Sequence, residues 1–422
     1  MVMRRKRLLA VLSRYLWPVD GGRKESLNHY FKELYDNYRY DIHIMCFLEH
    51  GQTIKKEDFP YYITEVSQLN DVPTGEKIKN VVFKSLGKDK WPLQCSFYYS
   101  KYNFDKIKRK VDEIRPDVVF TEMIRTCTYY DAFSDSNALL LANLDDLLST
   151  RYARQSKSGK SKASFAGSYS AKLPKPILFL MNGGAIKNTI LSMESKRCAI
   201  WEDKFYDMYD YSLMTSDVER DVINRRMNAN KAKTLSVGID YEYYSEKMGF
   251  DKDPKGLSYL GNFNVAANAD TLEMIINEVL PHINSDYHFY IIGKCPDYII
   301  NKHKNNKKLI FCGRVDDLRK YVKKATVFLA PIAYGTGVKT KIVEAMAMEM
   351  PVVTNSVGAE GIYGENGVHY FVSDSPEVIA ENVDSLLNDK QLAEDIGKSA
   401  GKFAYEHFRW EKVLSVYKEL GV

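Results

Sequence analysis

Short apolar runs alternate with amphipathic stretches along most of the chain. In the first half, apolar runs predict β-strands at Leu8–Leu16, Asp41–Phe47, Asp117–Phe120, Ala138–Leu141 and Ser212–Thr215. Between the first two runs, the segment GGRKESLNHYFKELYDNY repeats apolar residues at helical spacing. Because strands that alternate with helices form parallel sheets, this pattern predicts an α/β domain. Gly21 and Gly22 then lie between the first strand and the first helix, at the edge where open sheets bind ligands.

The second half of the chain repeats the alternation. Its first strand falls in the segment LSYLGNFNVAANADTLEMII, and further strands are predicted at Tyr287–Ile292, Leu309–Phe311, Ala325–Leu329 and Pro351–Thr354. A polar, turn-rich passage at 236–256 separates the two series. Since 422 residues exceed one ordinary hydrophobic core, we expect an N-terminal domain at 1–240 and a C-terminal domain at 241–402. The segment FAYEHFRWEKVLSVYKEL predicts one terminal helix, within 403–422.

Composition narrows the class of protein. With 45% hydrophobic and 27% charged residues, the chain is typical of a soluble globular protein. The net charge of +5 is too small to indicate a nucleic-acid binder, so no nucleic-acid partner is expected. Six scattered cysteines without a Cys-x-x-Cys pair favour reduced thiols in the cytosol over disulfides or a zinc site. No segment reaches the roughly 20 apolar residues of a membrane-spanning helix, so any membrane contact is expected to be peripheral.

One basic stretch stands out from the even distribution of charge. Between Leu147 and Met193 there is no Asp or Glu, whereas Lys and Arg recur at 151, 154, 157, 160, 162, 172, 175 and 187. Two interpretations stay open for it. The stretch is either a solvated loop, or its part at 151–175 contacts an anionic membrane or a phosphorylated acceptor.

The segment APIAYGTGVKTKIVEAMAMEMPVV, at 330–353, holds the densest candidate chemistry. Backbone N–H groups of a glycine-rich turn before a helix bind anions, and Gly335 and Gly337 would let a phosphate approach the chain closely. Lys339 adds a positive charge, while Glu344 on the following helix could accept hydrogen bonds from ribose hydroxyls. The spacing is not that of a Walker P-loop. The pattern therefore indicates a nucleoside diphosphate site, with a plain strand-to-helix turn as the alternative.

Hydroxyl and carboxylate groups add further candidates. Thr336 and Thr340 could each donate a hydrogen bond to the same phosphate. In the first domain, Arg125 follows one predicted strand and would face the ligand edge, where it could bind a phosphate or an acceptor. Asp145 and Asp146 follow the next strand, and either could bind the acceptor or accept its proton. Their alternatives are a loop ion pair for Arg125 and ordinary helix-start residues for the two aspartates.

Several of these segments resemble, in order, the motifs of the group 1 glycosyltransferases, which are retaining enzymes of glycosyltransferase family 4. The strongest is GTGVKTKIVEAMAMEMPVVTNSVGAEGI; the others are RYLWPVDGGRKESL, LSVGIDYEYY, YLGNFNVAANADTLEMI, FCGRVDDLRKYVKKATVFLAPI and FRWEKVLSVYKEL. The resemblance implies the GT-B fold, in which two Rossmann-like, doubly wound domains face each other across a cleft and the last helix crosses back to the first domain. MIRTCTYY and NLDDLLSTRY look most like bacterial enzymes of capsule, exopolysaccharide or O-antigen synthesis.

Carried over position by position, the resemblance implies a set of site residues. Those implied to bind the donor are Gly21, Gly22, Gly261, Asn262, Arg314, Val315, Gly335, Thr336, Gly337, Val338, Lys339, Thr340 and Glu344. Among them the glycine turn and Lys339 hold the pyrophosphate, Glu344 the ribose, and Arg314 and Val315 lie near the base. The candidate catalytic residues are Arg125, Asp145, Lys339 and Glu344.

The implied reaction moves a hexose-type sugar from a nucleotide-diphosphate donor to a saccharide or a lipid-diphosphate-linked saccharide, with retention. A UDP-sugar is the first expectation for the donor, and no metal or other cofactor is expected. The implied location is the cytoplasm, at the inner face of the cytoplasmic membrane. In one respect the chain departs from many relatives, since Thr336 stands where they carry a glutamate eight residues before Glu344. A non-catalytic GT-B subunit that supports a partner transferase therefore stays open, as does a nucleotide-sugar 2-epimerase.

Overall fold

The computed structural model of the chain describes residues 4–19, 22–49, 51–158, 184–249, 252–335 and 337–422. These residues form two compact units. The first contains the described residues up to Ser236 together with Leu414–Val422, and the second is Val237–Val413. All six cysteines are unpaired.

The first unit is built on a sheet of seven parallel strands. They are β1 (Lys6–Leu12), β2 (Tyr40–Phe47), β3 (Ile63–Leu69), β4 (Val118–Glu122), β5 (Leu139–Asp145), β6 (Tyr211–Met214) and β7 (Ala232–Thr234). Their order in the sheet is β3-β2-β1-β4-β5-β6-β7. The order therefore reverses between β1 and β4, and such a switch point opens a crevice at the carboxyl ends of the strands.

Helices connect these strands. They are α1 (Gly22–Asp36), α2 (Thr74–Asn80), α3 (Leu93–Tyr98), α4 (Lys101–Ile114), α5 (Met123–Cys127), α6 (Leu148–Ser158), α7 (Gly184–Met208) and α8 (Asp217–Met227). A π-helical turn at Val81–Ser85 extends α2. Helix α4 shows how local sequence sets these limits. The Ser100 side chain accepts a hydrogen bond from Asn103 N at its start, and Arg115 ends it in the left-handed conformation.

The second unit has a sheet of six parallel strands with the same kind of reversal. They are β8 (Gly256–Leu260), β9 (His288–Ile292), β10 (Leu309–Gly313), β11 (Val327–Ala330), β12 (Val352–Thr354) and β13 (Phe371–Val372). The order β10-β9-β8-β11-β12-β13 places the switch point between β8 and β11. The chain thus has two Rossmann-like parallel-sheet units, as the sequence predicts.

The helices of the second unit are mostly short. They are α9 (Tyr241–Ser245), α10 (Ala266–Met274), α11 (Asp297–His303), α12 (Leu318–Lys324), α13 (Thr340–Ala347), α14 (Ser356–Ala359), α15 (Pro376–Asn388), α16 (Lys390–Phe408) and α17 (Trp410–Val413). Helix α18 (Val416–Glu419) belongs to the first unit, where the ring of Tyr417 lies 5.7 Å from that of Tyr38. Together α13 and β12 bury the apolar part of the 330–353 segment.

The structure corrects the predicted elements in three places. Strand β1 ends at Leu12 instead of Leu16, because the backbone turns at Ser13, whose N–H donates a hydrogen bond to the Glu122 side chain at the end of β4. Strands β3, β7 and β13 were not predicted, since all three are edge or near-edge strands that are short or only half-buried and so lack a continuous apolar run. The predicted terminal helix is broken at Arg409, which is extended between α16 and α17.

Gly397 packs helix α16 directly against the backbone of the loop after α13. A Cβ at this position would lie 2.3 Å from the carbonyl oxygen of Glu349. A backbone carbonyl cannot move aside as the end of a flexible side chain can. We therefore expect Gly397→Ala to reduce the free energy of unfolding by about 1–3 kcal/mol. Urea denaturation measures the change. Lys398→Ala, at the exposed neighbouring position of the same helix, is the control and should leave stability within about 0.5 kcal/mol. Equal stability of the two variants would contradict the tight packing.

Candidate functional site

The loops that follow β8 and β11 are tied together at the switch point of the second unit. Ala333 N donates a hydrogen bond to Thr271 Oγ1 over 3.1 Å, and the Tyr334 hydroxyl donates to Asp270 Oδ2 over 2.7 Å. Both acceptors lie on helix α10, which follows β8. These bonds hold the glycine-rich loop of the 330–353 segment beside the first strand-to-helix turn of the unit. The loop after β11 and helix α10, which are 62 and 64 residues apart in sequence at these two bonds, therefore lie side by side.

The glycine turn carries a folded-back lysine. Gly337 has φ +69°, a backbone conformation that side-chain-bearing residues rarely adopt. Lys339 is the residue immediately before helix α13, and its Nζ donates to the Gly337 carbonyl over 2.6 Å. Its Cε lies so close to Gly335 that a Cβ there would be 3.2 Å away. The Glu360 carboxylate is 4.0 Å from the same ammonium. The turn thus places a cation next to the N–H groups at the start of a helix.

Lys341 is a second cation at this edge, which the sequence reasoning missed. Its Nζ donates to Asn268 Oδ1 over 2.7 Å and to the Tyr259 hydroxyl over 3.2 Å. A Cβ on Gly261 would lie 3.3 Å from the same nitrogen. Burial lowers the pKa of Lys341 to about 8, although Glu344 opposes this effect. The only sequence signal was a second lysine in the first turn of α13, three residues before Glu344.

The other predicted donor residues of this unit occupy the carboxyl ends of neighbouring strands. Gly261 directly follows β8, and Gly293, which follows β9 with φ +123°, leaves only 2.1 Å between a would-be Cβ and the Gly261 carbonyl oxygen. Gly293 N also donates to the Gly313 carbonyl at the end of β10 over 2.8 Å. Arg314 follows as an exposed side chain, and Val315 packs partly against the core. The strand ends are therefore in backbone contact, which small residues make possible.

The remaining donor residues show different degrees of exposure. Asn262 is exposed, and its Oδ1 accepts hydrogen bonds from Asn264 N and Nδ2 over 3.2 and 3.0 Å. Val338 packs partly against the core, whereas Thr340 opens helix α13 and is half-buried. Glu344 is half-buried one turn further along that helix. Gly21 and Thr336 lie outside the described residues, as does the part of the basic stretch from 159 to 175.

In the first unit, the switch point between β1 and β4 holds a buried carboxylate. Glu122 is fully buried at the end of β4, and its Oε2 accepts hydrogen bonds from the backbone N, over 2.9 Å, and from the hydroxyl of Ser13, just after β1. Burial opposes its ionisation, but Arg14, Arg23 and Arg125 together outweigh burial and lower the pKa of Glu122 to about 2. Glu122 therefore stays charged; it pairs with Arg14 and Arg23, and the charge of Arg125 also acts on it.

Asp145 stands at the end of the next strand in an unusual backbone conformation. Its φ is +71°, a value that costs energy for a residue with a side chain. Arg23, directly after the Gly22 that begins α1, places Nη1 2.8 Å from Asp145 Oδ1. Burial raises the pKa of Asp145, with Arg23 opposing. The neighbouring Asp146 pairs with Arg151 instead. Sequence reasoning found Asp145 but not Arg23, although Arg23 follows the Gly-Gly pair of the first loop.

Arg125, the candidate for binding a phosphate or an acceptor, is buried just after β4. Its side chain is only 3% exposed, and its Nη2 lies 2.7 Å from Met123 Sδ. The guanidinium also lies over the ring of Tyr98, 5.2 Å from its centroid. From this buried position its charge acts on Glu122. The structure therefore brings Asp145, Arg23 and Glu122 together, whereas the Arg125 side chain is buried against Met123 and Tyr98.

Comparison with known proteins finds a family match within the second unit. Residues 254–389 match the family model described as "Glycosyl transferases group 1". N-acetyl-alpha-D-glucosaminyl L-malate synthase of Bacillus anthracis is 24% identical over 43% of this chain and 49% of its own length. The capsular polysaccharide biosynthesis glycosyltransferase CapM of Staphylococcus aureus is 29% identical over 26% of this chain and 31% of its own length. The matched region thus spans about half the length of these relatives or less.

The whole chain resembles a solved structure as well. Anabaena Alr3699/HepE, solved in complex with UDP and glucose, superposes with a TM-score of 0.63 at 13% identity, over 97% of this chain and 98% of that one. At this identity the likeness shows the fold alone. The resemblance to group 1 glycosyltransferases and the GT-B fold are thereby confirmed.

Proposed function

We propose that this group 1 glycosyltransferase chain moves a hexose-type sugar from a nucleotide-diphosphate donor, first of all a UDP-sugar, to a saccharide or a lipid-linked saccharide, with retention, in cell-surface polysaccharide synthesis. One observation carries the proposal: two lysines and a glycine turn meet at the switch point of the sheet in the matched domain. The UDP and glucose bound by the Anabaena protein and the capsular role of CapM support the choice of donor and pathway class.

In this scheme the second unit binds the donor. Cleavage of the sugar–phosphate bond leaves negative charge on the diphosphate, and groups already fixed there stabilise that charge most effectively. Lys339, Lys341 and the N–H groups at the start of α13 would provide this stabilisation. Glu344 would accept the ribose hydroxyls, and the exposed Arg314 would lie by the base. In this scheme no metal cofactor takes part, because two ammonium groups offset most of the negative charge of the leaving group; we expect sugar transfer to persist in EDTA.

The first unit would bind the acceptor. Asp145 is the candidate to receive the proton of the attacking hydroxyl, and its raised pKa favours proton uptake. Arg23 holds that carboxylate in place through an ion pair, and a second ion pair with Glu122 positions Arg23 itself. Gly22, at the start of α1, would let the backbone approach a substrate closely. Arg125 would then act on the site through Glu122 and not by touching substrate.

Two other functions are alternatives to sugar transfer. The threonine at 336, where many relatives have glutamate, favours a non-catalytic subunit that supports a partner transferase. A nucleotide-sugar 2-epimerase would use the same donor pocket without an acceptor. For location we propose the cytoplasm, at the inner face of the membrane, with the stretch at 151–175 near the acceptor lipid. No helix among the described residues has an apolar stretch long enough to cross a membrane.

The test begins with isothermal calorimetry of UDP, GDP and ADP and of their common sugars. We expect one diphosphate to bind at micromolar concentration and its sugar to be hydrolysed slowly or transferred to simple sugar acceptors. Proton NMR of the product then reports the anomeric configuration. Conversion of the donor to its 2-epimer without an acceptor would indicate the epimerase, and a wild-type protein that binds none of these nucleotides would favour the non-catalytic subunit.

The lowered pKa of Lys341 predicts a pH dependence of donor binding. The charged form, which binds a diphosphate, prevails below the pKa of about 8 and is lost above it. The affinity for UDP should therefore fall as pH rises from 7 to 9, by up to about tenfold per unit above 8. Calorimetry at several pH values measures this change. Lys341→Met should bind more weakly at pH 7 and lose the pH dependence, whereas the exposed Lys320→Met should keep it. A steep decline that survives in Lys341→Met would refute the assignment.

A further inference from the structure

An exposed apolar face lies on the first unit, far in sequence from the residues discussed above. It is formed by α2 and the π-helical turn that extends it. Four large apolar side chains are exposed within nine residues: Ile78 by 54%, Val82 by 47%, Phe83 by 66% and Leu86 by 60%. Their spacing of four, one and three residues places them on one side of a helix. Exposed apolar side chains in such a group mark an interaction surface.

The opposite side of the same segment is firmly attached to the body of the unit. Asn80 is buried, and its Nδ2 donates to the carbonyls of Ser96 and Tyr99 over 3.1 and 2.9 Å. The buried Ser85 hydroxyl lies 2.8 Å from that of Ser96, and Val81 packs against the core. The apolar side chains therefore point outward from an anchored element and are not left exposed by a loose end.

The segment that carries this apolar face is also rich in lysine. Five of them fall between residues 74 and 90, against two acidic residues. Lys79, Lys88 and Lys90 are exposed. Both acids already have partners, since Glu76 accepts a hydrogen bond from Lys101 N over 3.0 Å and Asp89 pairs with Lys84 over 3.1 Å. The segment therefore exposes both large apolar side chains and lysines.

We propose that this basic apolar face, residues 74–90, binds the surface of an anionic lipid bilayer. Apolar side chains on one side of a short helix insert between headgroups, while flanking lysines attract the anionic lipids. The charge also decides against a second copy of the chain as the occupant, because two such faces would repel each other. The inference does not depend on the transferase activity or on the basic stretch at 151–175.

The experiment measures binding of the full chain to sedimented vesicles of phosphatidylcholine, with and without 30% phosphatidylglycerol. We expect binding only to the anionic vesicles, weakened by added salt. Phe83→Ser/Leu86→Ser should reduce this binding about tenfold or more, because both inserting side chains are removed. The matched control is Tyr298→Ser/Val378→Ser, which removes two exposed apolar residues of the second unit and should bind like wild type.

Two further variants separate the sources of attraction. Lys79→Glu/Lys88→Glu should abolish the preference for anionic vesicles, and Lys157→Gln/Lys160→Gln/Lys162→Gln tests the other basic stretch independently. Nucleotide binding by calorimetry and the thermal unfolding midpoint verify that each variant is folded. The proposal is overturned if wild type does not bind anionic vesicles, if Phe83→Ser/Leu86→Ser binds them unchanged, or if that variant instead abolishes a dimer seen by analytical ultracentrifugation.

Discussion

Replacing Lys339 with alanine is expected to weaken binding of the donor nucleotide by about 10- to 100-fold, the loss of one charge-assisted contact to a phosphate. The ammonium lies over the glycine turn at the start of α13, so its removal takes away positive charge where the diphosphate would sit. In the same calorimetric titration, Glu344→Ala should weaken the binding of UDP but leave the binding of pyrophosphate unchanged, because the carboxylate is assigned to the ribose.

The comparison between the two ligands makes these assignments separable. Lys339→Ala should weaken the binding of pyrophosphate and of UDP alike. Lys320→Ala, at an exposed position elsewhere in the same unit, should weaken neither. If Glu344→Ala also lost pyrophosphate, the glutamate would be supporting the turn and not binding the ribose. If Lys339→Ala bound both ligands as wild type does, the glycine turn would not be the phosphate site.

Glu122→Gln is expected to reduce the free energy of unfolding by about 3–5 kcal/mol, since removing one partner of a buried ion pair leaves the opposite charge buried without compensation. Here the glutamate opposes three arginines and is fully buried. The pKa is about 2 in the folded protein, below that of an unfolded glutamate. This stabilisation is thus fully present above about pH 4.5 and is lost as pH falls towards 2.

Chemical denaturation at pH 7 and at intervals down to pH 3 checks both parts of this expectation. Wild type should lose stability over the acid range more steeply than Glu122→Gln, because the variant lacks the titrating group. Glu113→Gln is the matched control, as Glu113 is 65% exposed and paired only at the surface, and its effect should stay within about 1 kcal/mol. If Glu122→Gln changed the free energy of unfolding as little as Glu113→Gln does, the three arginines would not depend on Glu122 to compensate their charge.

Local sequence determined the two α/β units and the glycine turn with Lys339 and Glu344. Ten strands could be located because strands inside parallel sheets are continuous apolar runs, and a glycine turn before a helix is formed by consecutive residues. The edge strand β3 was not predicted, because its residues are mostly half-buried and form no continuous apolar run. The resemblance to group 1 glycosyltransferases could also be found in the sequence, because its strongest motif lies within one strand-turn-helix unit.

The tertiary structure alone decided which distant residues meet. Lys341 became a second cation because α10 and β8 bring Asn268 and Tyr259 to its ammonium, contacts between residues at least 73 positions apart in sequence. Arg23 and Glu122 met because the strand order reverses between β1 and β4. The outward direction of Phe83 likewise depends on anchoring by other helices. Side-chain periodicity reports which residues share a face, but only packing determines whether that face meets the core, a ligand or the surroundings.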